Sequence, residues 1–428
     1  MSSWMRTWAL PAALAATLAA LAGQASAAEG PADVSLQKEI DHYLAAAAPE
    51  GGDPTTFRVF FKEGLKGETS DGNFKFHVGG RFMLDVHFRS TDDPAFDAED
   101  TADGVFFRRL RVEFGGTIYK NIEYAMQVDF AKAAYELKDV FLQLNDIPVI
   151  GMVRVGHFKE PIALDELTSS KVITFMERSM ATNAFAPAHN VGIAVGNSAL
   201  DKRIDWMAGV FRDTDVNGIE DQDGGYQFTA RVTGIALEDK ENGLLVHLGG
   251  SFSLRSPHGK EFRARARPDT GSGFRIVDTG TIAAVDSVTL FGFEFAVVWK
   301  SLSVQAEYLM ADLDAAAAGD PAFSGYYVMV SYWITGESRP YKGGTFGRVK
   351  PKNNFLRGSG AGALEAAIRY GSLDLNDATI TGGEATAVTV GLNWHLNPNT
   401  RVMINIVFAD EDLDGNLTIF EMRYQIDF

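Results

Sequence analysis

The chain has 428 residues, a formal net charge of −17 at neutral pH and no cysteine. The lack of cysteine excludes disulfides and thiolate metal sites, and the acidic balance argues against a nucleic-acid partner, which would bind a basic surface. The hydrophobic fraction of 46% is ordinary, but it does not exclude a membrane barrel, in which only alternate strand residues face lipid.

The first 27 residues are typical of a secretory signal peptide. Arg6 gives a positive start, Trp8 to Ala22 is an apolar stretch, and Ala25-Ser26-Ala27 is a cleavage site of the small-x-small type. We expect the exported chain to begin at Ala28. A membrane anchor is the less favoured alternative, because the apolar run is shorter than the ~20 residues that a spanning helix needs.

Residues 28–72 are expected to form a periplasmic segment that precedes the barrel. Apolar residues recur at helical spacing from Leu36 to Ala47, which makes residues 34–48 a candidate for a short helix, either a small periplasmic coiled coil or a frayed leader. The proline-containing stretch that follows would end this helix.

From Phe74 to the end of the chain, the apolar period changes to two, in about sixteen successive runs. The last run has an apolar and a polar side, with Ile419 out of phase: Leu417, Phe420, Met422, Tyr424, Ile426 and Phe428 against Thr418, Glu421, Arg423, Gln425 and Asp427. A strand with this pattern suits a barrel that faces lipid outside and water inside. We therefore predict an all-β fold, a transmembrane antiparallel β-barrel of about 16 strands over residues 73–428.

The predicted connections alternate between tight turns and long loops, as expected for periplasmic turns and extracellular loops. One connection breaks the alternation, because Glu337 to Gly360 is long where a short turn is due. Either the strand count slips there or this turn has a role inside the pore.

Arginines recur on the predicted inner faces of the strands: Arg81, Arg109, Arg111, Arg231, Arg369, Arg401 and Arg423. Two connections are also basic, namely Arg255 to Asp286 and Ser338 to Gly360. In the first, Arg263, Arg265 and Arg267 are two apart and would line one side of an extended chain. Cationic rings in a pore select anions. The alternative is a set of paired charges that keeps the lumen wet and rigid, with solvated loops.

The segment Asp410-x-Asp412-x-Asp414-Gly415-x5-Glu421 matches an EF-hand loop in its ligand spacing. An EF-hand needs a helix on both sides, whereas strand patterns flank this segment. We interpret it as an acidic hairpin tip with weak Ca²⁺ binding as an alternative, and we expect Glu421 to face the lumen.

Several motifs together resemble those of the phosphate-selective porin O and P family. The main one is the long stretch from Gly156 to Ser179. The others are Gly79-Gly80-Arg81, Phe107-Arg108-Arg109-Leu110-Arg111, Ile334-Thr335-Gly336-Glu337, Gly344 to Lys352, Gly391-Leu392-Asn393-Trp394 and the final Phe428.

This resemblance implies a sixteen-stranded trimeric barrel in which two outer loops and one periplasmic turn fold into the pore. It implies an arginine rail formed by Arg108, Arg109, Arg263, Arg265 and Arg267. It also implies an anion-binding constriction formed by Arg81, Lys159, Lys171 and Lys350. Lys171 departs from the arginine expected in phosphate-specific members, so bidentate geometry is lost there.

The sequence thus predicts an outer-membrane porin of a Gram-negative-type bacterium that passes small solutes by passive diffusion, with phosphate or polyphosphate preferred. A homotrimer, surrounding lipid and the outer-membrane assembly machinery are the expected partners. No cofactor and no catalytic motif are predicted. The alternatives are a general non-selective diffusion porin and a structural or adhesive barrel with a plugged lumen.

Overall fold

The computed structural model describes residues 56–91, 102–132, 134–221, 224–358, 360–411 and 415–428. The predicted signal peptide and the helix predicted over residues 34–48 lie outside these ranges, as do Asp412 and Asp414 of the acidic hairpin tip. These expectations therefore stay predictions. The boundary before residue 73 also stays a prediction, although residues on both sides of it are described.

Antiparallel strands account for most of the described chain. The first part contains β1 (Phe57–Phe61), β2 (Leu65–Thr69), β3 (Phe74–Ser90), β4 (Gly104–Ile118), β5 (Ile122–Asp129), β6 (Glu136–Ile147), β7 (Gly151–Lys159), β8 (His189–Ala199), β9 (Ile204–Arg212), β10 (Tyr226–Asp239) and β11 (Leu244–Arg255). Four two-residue strands follow: β12 (Glu261–Phe262), β13 (Arg265–Ala266), β14 (Val277–Asp278) and β15 (Ile282–Ala283). The rest are β16 (Ser287–Trp299), β17 (Leu302–Asp314), β18 (Ala322–Trp333), β19 (Tyr341–Lys342), β20 (Thr345–Phe346), β21 (Ala363–Asp377), β22 (Ile380–Asn397), β23 (Thr400–Glu411) and β24 (Gly415–Asp427).

Sixteen of these strands, β3–β11, β16–β18 and β21–β24, close into one barrel, which confirms the predicted fold. The last strand pairs with the first, in a register that sets Asp427 opposite Arg81 and Arg423 opposite Asp85. The predicted position of the closing strand is thus confirmed.

Residues 57–69 form a hairpin in front of the barrel. Strand β2 pairs with the first residues of β3, from Lys75 to Val78, where β24 has already ended. Phe428 and Gly80 exchange two backbone hydrogen bonds at this junction. The hairpin therefore extends the barrel wall beyond the end of the closing strand.

Short turns join the strands at the barrel end where β3 begins and β24 ends, which we call the turn end. The opposite end, the loop end, carries the longer connections. The connection of residues 334–362, here called the basic turn, joins β18 to β21 at the turn end. The anomaly in the predicted alternation is thus a real feature of the fold.

Apolar side chains cover the outside of the barrel. Exposed examples from around the wall are Phe107, Leu142, Val155, Val210, Phe228, Leu248, Phe293, Val328, Ile368, Val390 and Phe408. Such a belt is what lipid-facing strand positions require. Among the described residues, no helix is long and apolar enough to cross a membrane.

Two loops from the loop end fold into the lumen: the pore loop (160–188) and the arginine loop (256–286). The pore loop carries two short helices, α1 (Leu164–Leu167) and α2 (Met180–Phe185). Ser179 caps α2, since its hydroxyl accepts from the Thr182 N–H. Both loops pack against β16–β18 and β21–β24. They also reach β3 and β4, where Arg81 contacts Ser170 and Arg108 contacts Glu177, and the lumen stays open along β4–β9.

Part of the inner wall under these loops is apolar, which the sequence did not predict. Its buried members include Leu290, Leu309, Leu313, Phe323, Leu373, Val407, Leu417 and Ile419, packed against loop residues Ile162, Met180, Phe185, Ile276 and Val277. The assignment of Leu417 to the lipid side was therefore wrong. Leu417 and Ile419 both face inward, because the arginine loop rather than water covers this part of the wall.

Candidate functional site

A cavity of about 740 Å³ runs along the open side of the lumen. Its lining extends from Lys132, near the loop end, to Ser198, near the turn end. Its charged lining comprises ten cations and five acids: Arg81, Arg108, Arg109, Arg111, Lys132, Lys138, Arg154, Lys159, Arg178 and Arg231 against Asp129, Glu136, Asp139, Glu166 and Asp205. The channel wall is therefore basic, although the whole chain is acidic.

A β-bulge places two consecutive arginines of the predicted rail at this cavity. Met83 pairs with Arg109 and Leu84 pairs with Phe107, so that Arg108 is the extra residue on β4. Arg108 donates two 2.8 Å hydrogen bonds to the Glu177 carboxylate of the pore loop. The bulge thus turns both Arg108 and Arg109 inward, where a regular strand would send one of them outward.

Glu177 faces several arginines at once. Burial opposes its ionisation, but the charges of Arg108, Arg109 and Arg423 hold the pKa of this carboxyl well below its usual range. Glu177 therefore stays ionised and neutralises part of the basic wall.

Two predicted constriction residues share one carboxylate. Arg81 donates to Glu113 at 3.3 Å and to the Ser170 hydroxyl at 2.6 Å. The Lys171 ammonium also donates to Glu113. Burial and the charge of Arg81 lower the pKa of Lys171. The structure thus brings Arg81 and Lys171 together, with Glu113 between them.

Lys159 lies at the same cavity and is also paired. Its ammonium is 2.9 Å from Glu166 of α1, and it donates to the Glu166 carbonyl oxygen as well. Arg178 contacts the other oxygen of that carboxylate at 3.1 Å. One acid therefore serves two cations here, as Glu113 does beside Arg81.

Lys350 is not brought to this cavity. Its ammonium is 2.8 Å from Glu63, in the turn of the β1–β2 hairpin, and 60% of its side chain is exposed. The structure therefore separates Lys350 from the other three residues of the predicted constriction. Another cation of the basic turn, Arg348, is anchored to the wall by its pair with Asp427.

The three loop arginines of the predicted rail do point the same way. Ala264 and Ala266 are fully buried, whereas Arg263 and Arg265 between and beside them are exposed. Arg263 pairs bidentately with Asp278, at 2.7 and 2.6 Å. The alternation follows from the extended backbone of β13, which buries one side of the segment and exposes the other.

Arg275 joins this rail from the segment that leads into β14, the strand paired with β13. Burial and the charges of Arg267 and Arg265 lower the pKa of Arg275 to about 10, which leaves it charged at neutral pH. Burial and Arg108 likewise lower the pKa of Arg267. These mutual influences connect the loop arginines to Arg108 at the cavity. Sequence reasoning missed Arg275 as a rail residue, because it lies outside the regular strands, two residues before β14.

Three inner-face arginines hold the loops rather than line the cavity. Arg369 pairs with Asp269 of the arginine loop at 2.8 Å. Arg401 donates to the Ile173 carbonyl of the pore loop at 2.8 Å. Arg423 pairs with Glu177 at 2.7 Å. The alternative of paired, rigidifying charges therefore describes this half of the lumen.

Glu421 lies in β24, faces inward and accepts from the Thr270 hydroxyl of the arginine loop. Its predicted place in the lumen wall is confirmed. In the described part of the chain, no group of three or more histidine or acidic side chains could hold a metal ion. Asp410 is the second-last residue of β23, and Asp412 and Asp414 of the same motif lie outside the described residues.

Comparison with known proteins agrees with this architecture. The family model described as "Phosphate-selective porin O and P" matches residues 76–428. Porin O of Pseudomonas aeruginosa is 30% identical over 405 residues, which cover 83% of this chain and 90% of that protein.

Two solved structures share the fold at low identity. The anion-selective porin from Comamonas acidovorans has a TM-score of 0.52 at 12% identity, covering 83% of this chain and 100% of that chain. Pseudomonas putida OprB has a TM-score of 0.53 at 10% identity, covering 84% of this chain and 95% of that chain. Because the family match spans nearly the whole barrel, this chain belongs to the phosphate-selective porin O and P family, whose members are outer-membrane β-barrel channels.

Proposed function

We propose that this outer-membrane porin passes small inorganic anions by passive diffusion and that it prefers phosphate-like oxyanions. The observation that carries the proposal is the cavity lining, in which cations outnumber acids two to one. Rows of cationic donors replace the water around an anion and thereby favour its entry. The family description and the name of the Pseudomonas aeruginosa relative support phosphate as the oxyanion.

We assign the path of the anion to two sets of residues. The rail consists of Arg263, Arg265, Arg267 and Arg275 on the arginine loop and Arg108 and Arg109 on β4. The constriction consists of Arg81, Lys159 and Lys171. The acids Glu113 and Glu166 weaken each constriction cation, so binding there is moderate and an anion is able to leave again.

The second candidate is a general diffusion porin whose arginines only shape the lumen. The observation that favours it is the pairing of the constriction cations, since Lys159 already has Glu166 and Lys171 already has Glu113. The two proposals differ in the permeability of chloride relative to potassium.

Planar-bilayer recording of the purified protein tests the proposal. We expect a reversal potential that indicates chloride preference in a KCl gradient, and a chloride current that millimolar phosphate blocks. The double variant Arg81→Ala/Lys159→Ala should weaken that block. Potassium preference, or a chloride current that phosphate leaves unchanged, would reject the anion proposal, and no conductance would reject a diffusion pore altogether.

A homotrimer inserted by the outer-membrane assembly machinery is part of the same proposal. It rests on the family resemblance and on the aromatic residue Phe428, which follows the closing strand at the turn end. Chemical cross-linking of the protein in native outer membranes should give a trimer band, and a monomer band alone would reject this part.

A further inference from the structure

The cations that line the cavity differ in one respect, which is whether they have an acidic partner. Nine of the ten form an ion pair of 4.0 Å or less: Arg81, Arg108, Arg109, Arg111, Lys132, Lys138, Lys159, Arg178 and Arg231. Within the described part of the chain, Arg154 is the one cation of this lining that forms no ion pair. The charges of Asp139 and Glu123 reach it only from beyond ion-pair distance.

Aromatic and amide groups hold Arg154 instead of an acid. Its guanidinium lies over the Phe141 ring at 4.2 Å and over the Phe158 ring at 5.3 Å. Its Nε donates to Gln143 Oε1 at 2.7 Å. Stacking fixes the plane of the guanidinium without neutralising it. The two terminal amino groups therefore keep donors for a ligand.

The strand register explains why this position is open. Arg154 on β7 stands opposite Gln143 on β6 and opposite Ala194 on β8. Two residues after Ala194 on β8 comes Gly196, so neither of these inward-facing neighbours carries a large side chain. Arg154 is three residues from the start of its strand, which places it toward the turn end of the channel.

We propose that Arg154 is a separate anion-binding site at the periplasmic end of the channel, for a phosphate-like oxyanion. The inference rests on the proposed anion preference and adds a second binding step to it. A planar guanidinium with two free donors matches two oxygens of one oxyanion. An anion that leaves the paired cations of the constriction would meet this unpaired one next, and successive sites of this kind favour conduction over trapping.

The test compares Arg154→Gln with Arg212→Gln in planar bilayers. Arg212 is a matched control, because it is also a strand arginine stacked on an aromatic ring, Tyr226 at 4.6 Å, but it does not line the cavity. We expect Arg154→Gln to weaken phosphate block of the chloride current by about tenfold, the effect of losing one charge-assisted interaction. In the Arg212→Gln control, phosphate should block the chloride current as it does in the wild-type protein.

A cysteine variant separates charge from folding. The natural chain contains no cysteine, so Arg154→Cys is the one thiol available to a methanethiosulfonate reagent. A cationic reagent should restore phosphate block in the assembled channel, whereas an anionic reagent should lower it further. Equal block in all variants, or equal effects of the two reagents, would overturn the Arg154 site. A wild-type channel that prefers potassium would overturn the proposed function together with it.

Discussion

Arg423 and Asp85 form a bidentate ion pair, with nitrogen–oxygen distances of 2.7 and 2.6 Å, across the seam where the last barrel strand meets the first. The same guanidinium donates to Glu177 of the pore loop at 2.7 Å. One buried side chain therefore joins the closure of the barrel to the placement of the loop that narrows it.

Replacing Arg423 with Met should strongly destabilise the folded barrel. The variant leaves Asp85 as a buried charge without its bidentate partner, which typically costs about 3–5 kcal/mol, and removes one of the three arginines around Glu177. Urea unfolding in detergent, followed by the heat-modifiable gel shift, measures the free energy of unfolding. Arg58→Met is the control, because its pair with Glu68 is exposed and should contribute only ~0–1 kcal/mol. Equal losses in the two variants would contradict this role of Arg423.

Replacing Glu113 with Gln should strengthen anion binding at the constriction. The amide keeps the shape of the side chain but removes the charge that now neutralises Arg81 and Lys171. We expect the phosphate concentration for half-maximal block to fall by about tenfold, since hydrogen bonds to charged groups contribute ~1.5–3 kcal/mol. Glu68→Gln in the exposed hairpin is the matched control. A Glu113→Gln channel with wild-type block would show that Glu113 does not compete with the anion.

Anion preference should decline as the pH rises, and the decline should begin at a lower pH than the titration of a lysine with an ordinary pKa would give. Burial and the neighbouring Arg81 lower the pKa of Lys171 from its usual value of 10.5. A lysine is charged below its pKa, so the contribution of Lys171 is complete at neutral pH and is lost as the pH rises through this lowered pKa.

The chloride-to-potassium permeability ratio measured from pH 7 to pH 10 checks the expected decline. The Lys171→Arg variant keeps its charge over this range and should show a flatter profile. Identical profiles for the two proteins would show that Lys171 does not cause the pH dependence.

The sequence was sufficient for the barrel because strand alternation is a local signal. The period of two located the strands, and the inner-face positions of Arg81 and Arg423 followed from it. It was insufficient where loops from one end cover the inner wall. Leu417 is apolar, and only the position of the arginine loop decides that it faces inward. The pairing of Lys159 with Glu166 was equally hidden, because it depends on how the pore loop folds back as α1.

Because Lys350 lies away from the cavity that Lys159 lines, the two lysines should differ in their effect on anion passage. Lys159→Met should lower the chloride-to-potassium permeability ratio and weaken phosphate block, because it removes a cation from the cavity wall. Lys350→Met should change neither quantity appreciably, because Lys350 is mostly exposed and pairs with Glu63 of the hairpin outside that wall. Both variants remove one lysine ammonium and introduce the same side chain, so each controls for the other. If Lys350→Met weakened phosphate block as much as Lys159→Met, Lys350 would have to approach the constriction in the conducting channel, and the hairpin would have to release it.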